Sequence, residues 1–460
     1  MKTPKQQLGT CLPLGRAIAD PFEAKGIVGF SQPAKPAQCK KVRQKMILQE
    51  NPEAHGICIG STGSGKGTAS AIVHALTYPG AMVIVDIKGE IFETTHRHRE
   101  SLGPVVRLDL SSSGETSDSL NPIDGVKLAS KSPEEAALLA TQLLHPDQPT
   151  GLTNEREPFW ANNSDDVSSS ILNAIMCVEC VENHHFIRLY DWLKDDDVSY
   201  KLAVLLDTTK DLPEMAKKGI AAFLQMPDVT RGGVLATAQQ HLRLLGDPGV
   251  QRALKTTSFD LRAFQRDEVM TIYIIVPPHK LTSHKLLFRT WFSTLLSVAM
   301  TREYKPEVPT LFLLDEVAAL GQMDELRIAF TLLRGYGVKV FIYLQCLSQL
   351  KRLYPTDWET FVNNAGTIQA FGVTNNLMAR QLSEVFGTKT PENFLTMGPD
   401  EQMILHHGGR VDHCLKLNYL NDRMFKGLFD ANRRYSTERS WVKRQNSVRH
   451  VRSDCEFRPI

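Results

Sequence analysis

The sequence predicts an α/β fold: a mainly parallel central sheet covered by helices on both faces, interrupted by an inserted all-α domain. Three observations predict it. Apolar runs of five or six residues rich in Val, Ile and Leu alternate with helical segments, first over 56–110 and again over 269–372. Such uninterrupted runs belong to strands buried on both faces, which helical crossovers join in parallel. Between the two blocks the pattern is helical to about residue 245, with no convincing strand. Finally, 460 residues with 42% hydrophobic and 23% charged content describe a globular chain too long for one ordinary core.

The elements follow in order. Residues 1–50 read as a basic N-terminal segment, with nine Lys/Arg against two acids over 1–46. A first sheet block occupies 51–128. "GICIG" (56–60) is a strand that leads through a glycine-rich loop into a helix ending near Leu76. "AMVIVDIKGE" (81–90) is a buried strand with a polar end, followed by a helix to about Ser101. "PVVRLDL" (104–110) is the third strand, and "SLNPID" (119–124) a turn. Residues 129–255 form the helical insertion, opened by Ser132 as N-cap, Pro133 at the first helical position and Glu135 closing a capping box. The second sheet block, 256–430, carries "VMTIYIIVPP", "PTLFLLDE", "VKVFIYLQ" and "GTIQAFG". Residues 431–460 form a basic tail, with eight basic against three acidic side chains over 432–460.

The net charge of +2 is therefore split between basic ends and an acidic body. Such ends suit an anionic polymer, a lipid surface or a partner, and equally a solvated terminus. The longest uncharged apolar run, Thr290–Thr301, falls short of the roughly 18–20 residues a membrane span needs. The N-terminus is too polar for a targeting segment, so the cytosol is the expected compartment and the eight scattered cysteines are expected to be reduced.

The chemistry centres on one loop. Gly60, Ser61, Thr62, Gly63, Ser64, Gly65 and Lys66 match G-x-x-x-x-G-K between a strand and a helix. Glycines permit the tight turn whose N–H groups face phosphate oxygens, and the lysine adds a point charge for the β/γ-phosphates. ATP with Mg²⁺ is the expected ligand. Gly67 stands where such Walker A loops carry a metal-binding hydroxyl, so neighbouring Thr68 is a substitute candidate. Asp315 and Glu316 end the apolar strand "LFLLDE", a Walker B pattern. An adjacent strand would bring Asp315 to the metal and Glu316 to a water facing the γ-phosphate. Gln345 ends the next strand, where an amide can orient that water. Asp86 and Lys88, on another strand tip, read either as supporting residues or as a salt-bridged surface turn.

These pieces together resemble the type IV secretion coupling proteins of the conjugative TraG/TraD class. "GSTGSGKG", "VIVDIKGE", "SLNPID", "FDLR", "TIYIIVPP", "LFLLDEVAALG" and "LLRGYGVKVFIYLQCLSQL" run in family order over about 55–430. The resemblance implies a RecA/FtsK-like P-loop NTPase fold that assembles as a homo-hexamer on ATP or DNA. It implies an ATP hydrolase that recruits relaxase-bound DNA, with low sequence specificity, and translocates it to the secretion channel. Relaxase or effector proteins would dock on the all-α domain. Arg334 falls where the family places its arginine finger; alone, it reads as a helix-end cation. The family usually begins with a transmembrane anchor that this sequence does not show; a shortened chain, a naturally soluble member or a separate membrane anchor would each account for that, and the expected location is cytoplasmic, peripheral at the inner face of the bacterial membrane. Val317 replaces an aromatic common in the family. Two alternatives remain: a nucleotide-gated receptor for protein effectors, and, given Gly67, a P-loop scaffold without turnover.

Cys177, Cys180, His184 and His185 have ligand-like character but lie in a helical pattern without a second cluster, so helix packing explains them. "HHGG" (406–409) reads as a turn before the extended "RVDHCLKLNYL". The aromatic and basic tail suits single-stranded DNA or plain solvation.

Overall fold

The computed structural model describes residues 9–18, 45–110, 117–143 and 157–432. Most of the basic N-terminal segment and the basic tail from residue 433 onward lie outside the described residues.

Eleven strands make one sheet: β1 (Pro13–Ala17), β2 (Met46–Leu48), β3 (His55–Gly60), β4 (Met82–Asp86), β5 (Val105–Asp109), β6 (Thr271–Ile275), β7 (Thr310–Leu314), β8 (Val338–Leu344), β9 (Ala365–Phe371), β10 (Glu401–His406) and β11 (Val411–Leu415). Their order is β2-β1-β11-β10-β9-β3-β8-β7-β4-β6-β5. All pairings from β9 to β5 are parallel. Those from β9 outward to β2 are antiparallel.

The apolar runs are continuous because both faces are covered. On β8, Val340, Ile342 and Leu344 enter one core while Phe341 and Tyr343 enter the other. On β7, Phe312 and Leu314 face the first core and Leu311 and Leu313 the second. Each such burial contributes about 1.5–3 kcal/mol, so the central strands anchor the loops at their tips.

Three features differ from what the sequence suggests. The strand carrying Asp315 is not adjacent to the phosphate-loop strand, because β8 lies between β3 and β7. The N-terminal segment is not only a basic extension: β1 and β2 join the sheet, with Leu12 and Leu14 buried. Their short apolar stretch is diluted by the surrounding lysines, which hides it in a composition reading. "HHGG" is a turn, as the sequence suggests, but it closes a hairpin whose first strand, β10, is hidden in the sequence because its buried and half-buried residues do not alternate. Gly408 and Gly409 both take φ of 86°, the left-handed conformation that glycine adopts without strain.

The antiparallel extension is tied to the nucleotide-loop helix by a buried polar chain. Ser70 Oγ donates to Gln369 Oε1 (2.8 Å), Gln369 Nε2 to Gln402 Oε1 (3.1 Å), and Gln402 Nε2 to the Leu14 carbonyl (2.7 Å).

Among the described residues no strand occurs between β5 and β6, and the intervening chain is helical. Ser132 caps its helix by accepting from Glu135 N–H (3.2 Å), while the Glu135 carboxylate reaches back to Lys131 N–H (2.7 Å) and not to the cap residue itself. The chain returns to β6, which slots between β4 and β5. No helix among the described residues is long and apolar enough to cross a membrane.

Candidate functional site

Every parallel strand presents its carboxyl end to the same edge of the sheet, which is where open α/β sheets bind ligands. At the end of β3 the backbone turns through Gly63 (φ 78°) and Gly65 (φ 94°). Gly67–Ala71 then forms a π-helical turn, with Ile72 N–H bonded to the Gly67 carbonyl, before helix α1 (Ile72–Thr77) begins. Such turns recur at functional sites.

The loop is held from three directions. Lys66 Nζ donates to the carbonyls of Gly60 and Ser61 (3.2 Å to the latter). Ser61 Oγ donates to the Gly372 carbonyl just past β9 (2.5 Å). Lys416, after β11, donates to the Ser64 carbonyl (2.9 Å) and lies over the Phe371 ring. The Ser64 hydroxyl is buried without a partner among the described residues. A Cβ on Gly67 would meet nothing within 4 Å, so the place of the missing hydroxyl is open space. The Thr68 hydroxyl is turned to the loop itself and donates to the Gly65 carbonyl (3.2 Å). Thr62 is exposed at the loop tip.

On the acidic side, Asp315 N–H bonds the Val85 carbonyl (3.1 Å), which sets Asp315 beside Asp86 at the ends of β7 and β4. Burial pushes the Asp315 carboxyl up to about 7, and repulsion from Asp86 and Glu316 adds to this against the pull of Lys88 and Lys66. Asp86 is also raised, to about 6, because burial outweighs the N–H bonds it accepts. Those bonds come from Lys88 (3.3 Å), Gly89 (2.9 Å) and Phe92 (2.9 Å). Asp86 thus shapes the start of helix α2 (Glu90–Glu100) from a buried position and is not part of a surface salt bridge. Lys88 is exposed, and its charge favours the ionised form of Asp315.

Glu316 has φ of 61°, a left-handed backbone that costs a non-glycine residue about 1–2 kcal/mol. Its Oε2 accepts from Gln345 Nε2 (2.8 Å) and its Oε1 from Gln349 Nε2 (2.9 Å). The interposed β8 explains this: its tip delivers Gln345 between the loop strand and the acidic strand.

Lys66, Asp86, Asp315, Glu316 and Gln345 therefore share one edge. Arg334 does not. It lies in the turn Leu333–Tyr336 that precedes β8, at the opposite edge, and a seven-residue strand spans about 20 Å. There it is exposed, with Nε 3.8 Å from Glu53 Oε2. Sequence reading missed Gln349, Lys416 and Gly372. The four-residue spacing of two glutamines in "LQCLSQL" is a signal for the first; Lys416 and Gly372 are brought in only by the sheet order.

The two histidines of the ligand-like group of the insertion are otherwise engaged. His184 Nδ1 meets Lys127 Nζ (2.7 Å), and His185 Nδ1 accepts the Arg188 N–H that caps the next helix (3.0 Å). Cys177 and Cys180 are exposed, so they do not pack the helix as the pattern suggests: the helix ends at Val178, before Cys180, and Cys177 faces the Asp211 carbonyl (3.7 Å). Among the described residues no group of three or more His, Cys, Asp or Glu is arranged to hold a metal.

This edge joins an anion cradle to three carboxylates and two amides. A family model described as Type IV secretory system Conjugative DNA transfer matches residues 24–396. The chain belongs to this family. Among similar members of the conjugative DNA transfer family is the conjugal transfer protein TraG of Escherichia coli, 25% identical over 407 residues, covering 80% of this chain and 63% of that protein. Protein VirD4 of Agrobacterium fabrum (strain C58 / ATCC 33970) is 23% identical over 428 residues, covering 84% and 61%. The chain thus spans less than two thirds of the length of these relatives. A solved structure of plasmid coupling protein TrwB in complex with ADP and Mg²⁺ superposes with a TM-score of 0.61 at 16% identity, covering 83% of this chain and 87% of that one. VirB4 of Thermoanaerobacter pseudethanolicus follows with a TM-score of 0.53 at 10% identity, covering 81% and 94%. The fold of this family member is the RecA/FtsK-like P-loop α/β fold.

Proposed function

We propose that the chain is a coupling ATPase of conjugative type IV secretion, which hydrolyses ATP to recruit relaxase-bound DNA and drive it towards the secretion channel. The observation that carries the reading is the convergence of the Lys66 loop, Asp315, Glu316 and Gln345 on one sheet edge although Asp315 lies 249 positions after Lys66. The left-handed glycines, the unpartnered Ser64 hydroxyl and the open volume at Gly67 fit a triphosphate with its Mg²⁺. Loop N–H groups of residues 61–68 and Lys66 would hold the phosphates, and Asp315 the metal through water. The bound nucleotide supplies the phosphoanhydride whose cleavage drives transport. Glu316 orients and deprotonates the attacking water, and Gln345 holds the Glu316 carboxylate in place.

Arg334 lies too far along β8 to serve its own loop, so its role in the proposal is to complete the site of a neighbouring subunit in a homo-hexamer. Relaxase or effector proteins would dock on the helical insertion. On helix Val198–Thr208, Tyr200 (69% exposed) and Val204 sit beside exposed Asp195, Asp196 and Asp197. Asp195 is paired with Lys201 (2.7 Å), so the patch mixes apolar and paired polar groups, a surface that suits a protein partner. TrwB and TraG carry names from plasmid coupling and conjugal transfer, in keeping with this reading. Attachment at the inner face of the membrane and contact with channel components complete the proposal.

ATP turnover measured with and without single- and double-stranded DNA tests it. Stimulation by DNA that is lost in Lys66→Ala and Glu316→Gln is the expected result. Turnover indifferent to DNA but raised by a partner's C-terminal peptide supports the receptor alternative instead.

A further inference from the structure

The Glu316 carboxylate is clamped by two amides, and the second of them has no role in the function proposed above. Gln349 sits in helix α3 (Leu347–Leu353), one turn beyond Gln345. Its Oε1 accepts the backbone N–H of Gln345 (2.7 Å), and its Nε2 donates to Glu316 Oε1 (2.9 Å). The orientation of this amide follows from chemistry. A backbone N–H can only donate, so the atom facing Gln345 is the carbonyl oxygen, which turns the NH₂ group to a carboxylate that can only accept. One side chain therefore bridges the tips of β7 and β8.

The bridge acts where the backbone needs support. Glu316 holds a left-handed conformation at the end of β7, just before the short turn Val317–Ala319, so nothing in its own strand fixes where its carboxylate points. Gln345 takes Oε2 and Gln349 takes Oε1, one hydrogen bond each. Each oxygen keeps a second lone-pair direction, so the carboxylate is aimed and still able to accept from a water.

We infer that Gln349 is a positioning residue: it locks the Glu316 carboxylate and the Gln345 backbone into one unit, so that base and amide keep a fixed relation. The inference rests on the proposed hydrolytic role of Glu316. Two substitutions separate its parts. Gln349→Met keeps the length and removes both bonds; Gln349→Glu keeps the acceptor for Gln345 N–H but sets a carboxylate against Glu316.

Turnover is measured as kcat and KM separately, alongside equilibrium binding of a fluorescent non-hydrolysable ATP analogue to the full chain. The expected result is a kcat at least tenfold lower in Gln349→Met and lower again in Gln349→Glu, since bonds to a charged group are the stronger kind. KM and analogue affinity stay within about threefold, because the hydrogen bonds of Gln349 go to Gln345 and Glu316 and not to the loop. A purely architectural role would lower affinity together with kcat, and would make the glutamate variant no worse than the methionine one; either outcome overturns the assignment. If both variants turn over within twofold of wild type while Glu316→Gln is inactive, the assignment also falls and the proposed function stands. If Glu316→Gln retains full turnover, it is the proposed function that fails.

Discussion

Gly372→Ala probes how tightly the phosphate loop is braced by its neighbour strand. Gly372 has φ of +66°, and an added Cβ would lie 2.1 Å from Ser64 Cβ, where ordinary contact begins at 3.4 Å. The loop would have to retreat by about 1.3 Å, the difference between those two distances. It is not free to do so. Ser61 is bonded to the Gly372 carbonyl, and the Ser64 carbonyl is bonded to Lys416. The left-handed backbone costs alanine about 1–2 kcal/mol and the overpacking about 1–3, giving a stability loss of about 2–5 kcal/mol. Displacing the loop N–H groups also weakens nucleotide binding, tenfold for every 1.4 kcal/mol. Urea unfolding and equilibrium binding of a fluorescent ATP analogue measure the two effects. Gly63→Ala is the control: its φ is +78° but a Cβ there meets nothing within 4 Å, so it bears the backbone cost alone. If Gly372→Ala unfolds at the same urea concentration as Gly63→Ala and binds the analogue as tightly, the close approach of β9 to the loop does not matter.

Four further outcomes are expected. Gly67→Thr places its Cβ in open space, gains a few tenths of a kcal/mol in helix propensity, and lowers the Mg²⁺ concentration for half-maximal hydrolysis; an unchanged Mg²⁺ titration shows that the hydroxyl was never limiting. Lys416→Ala removes a charged donor from the Ser64 carbonyl, worth about 1.5–3 kcal/mol, so analogue binding weakens about tenfold or more by fluorescence titration. Burial raises the carboxyl groups of Asp86 to about 6 and Asp315 to about 7. The folded chain then holds protons that the unfolded chain releases, so these groups favour folding below the usual carboxylate pKa and that stability is lost as pH rises through 6–7. Asp315→Asn should flatten this fall in urea midpoints between pH 5 and 7.5 relative to wild type. Arg334→Ala should leave stability within about 0.5 kcal/mol, as its exposed pair with Glu53 is weak, and leave the analogue affinity of dilute protein unchanged. Turnover of the assembled protein should fall by about 10³-fold; undiminished turnover removes Arg334 from the site.

Much of this site is legible in the primary sequence because local physics writes it there. A G-x-x-x-x-G-K loop needs its glycines at fixed spacing, and strands buried on both faces must be continuously apolar up to the polar residue at the tip. Gly60–Thr68, Asp315, Glu316 and Gln345 could be found on that basis. Gln349 was visible only as a spacing, since an amide four residues away has no function until Glu316 is set opposite it.

Strand tips and turns thus follow from residue pattern alone, because backbone sterics and two-sided burial act within a few residues. The order of strands does not, because it is chosen by packing between segments hundreds of residues apart. Only the tertiary structure put β8 between β3 and β7, so that Gln345 meets Glu316, and brought Lys416 and Gly372 from the far end of the chain to the phosphate loop. Arg334, by contrast, is placed at the opposite edge by its position just before β8, and the tertiary structure adds its contact with Glu53.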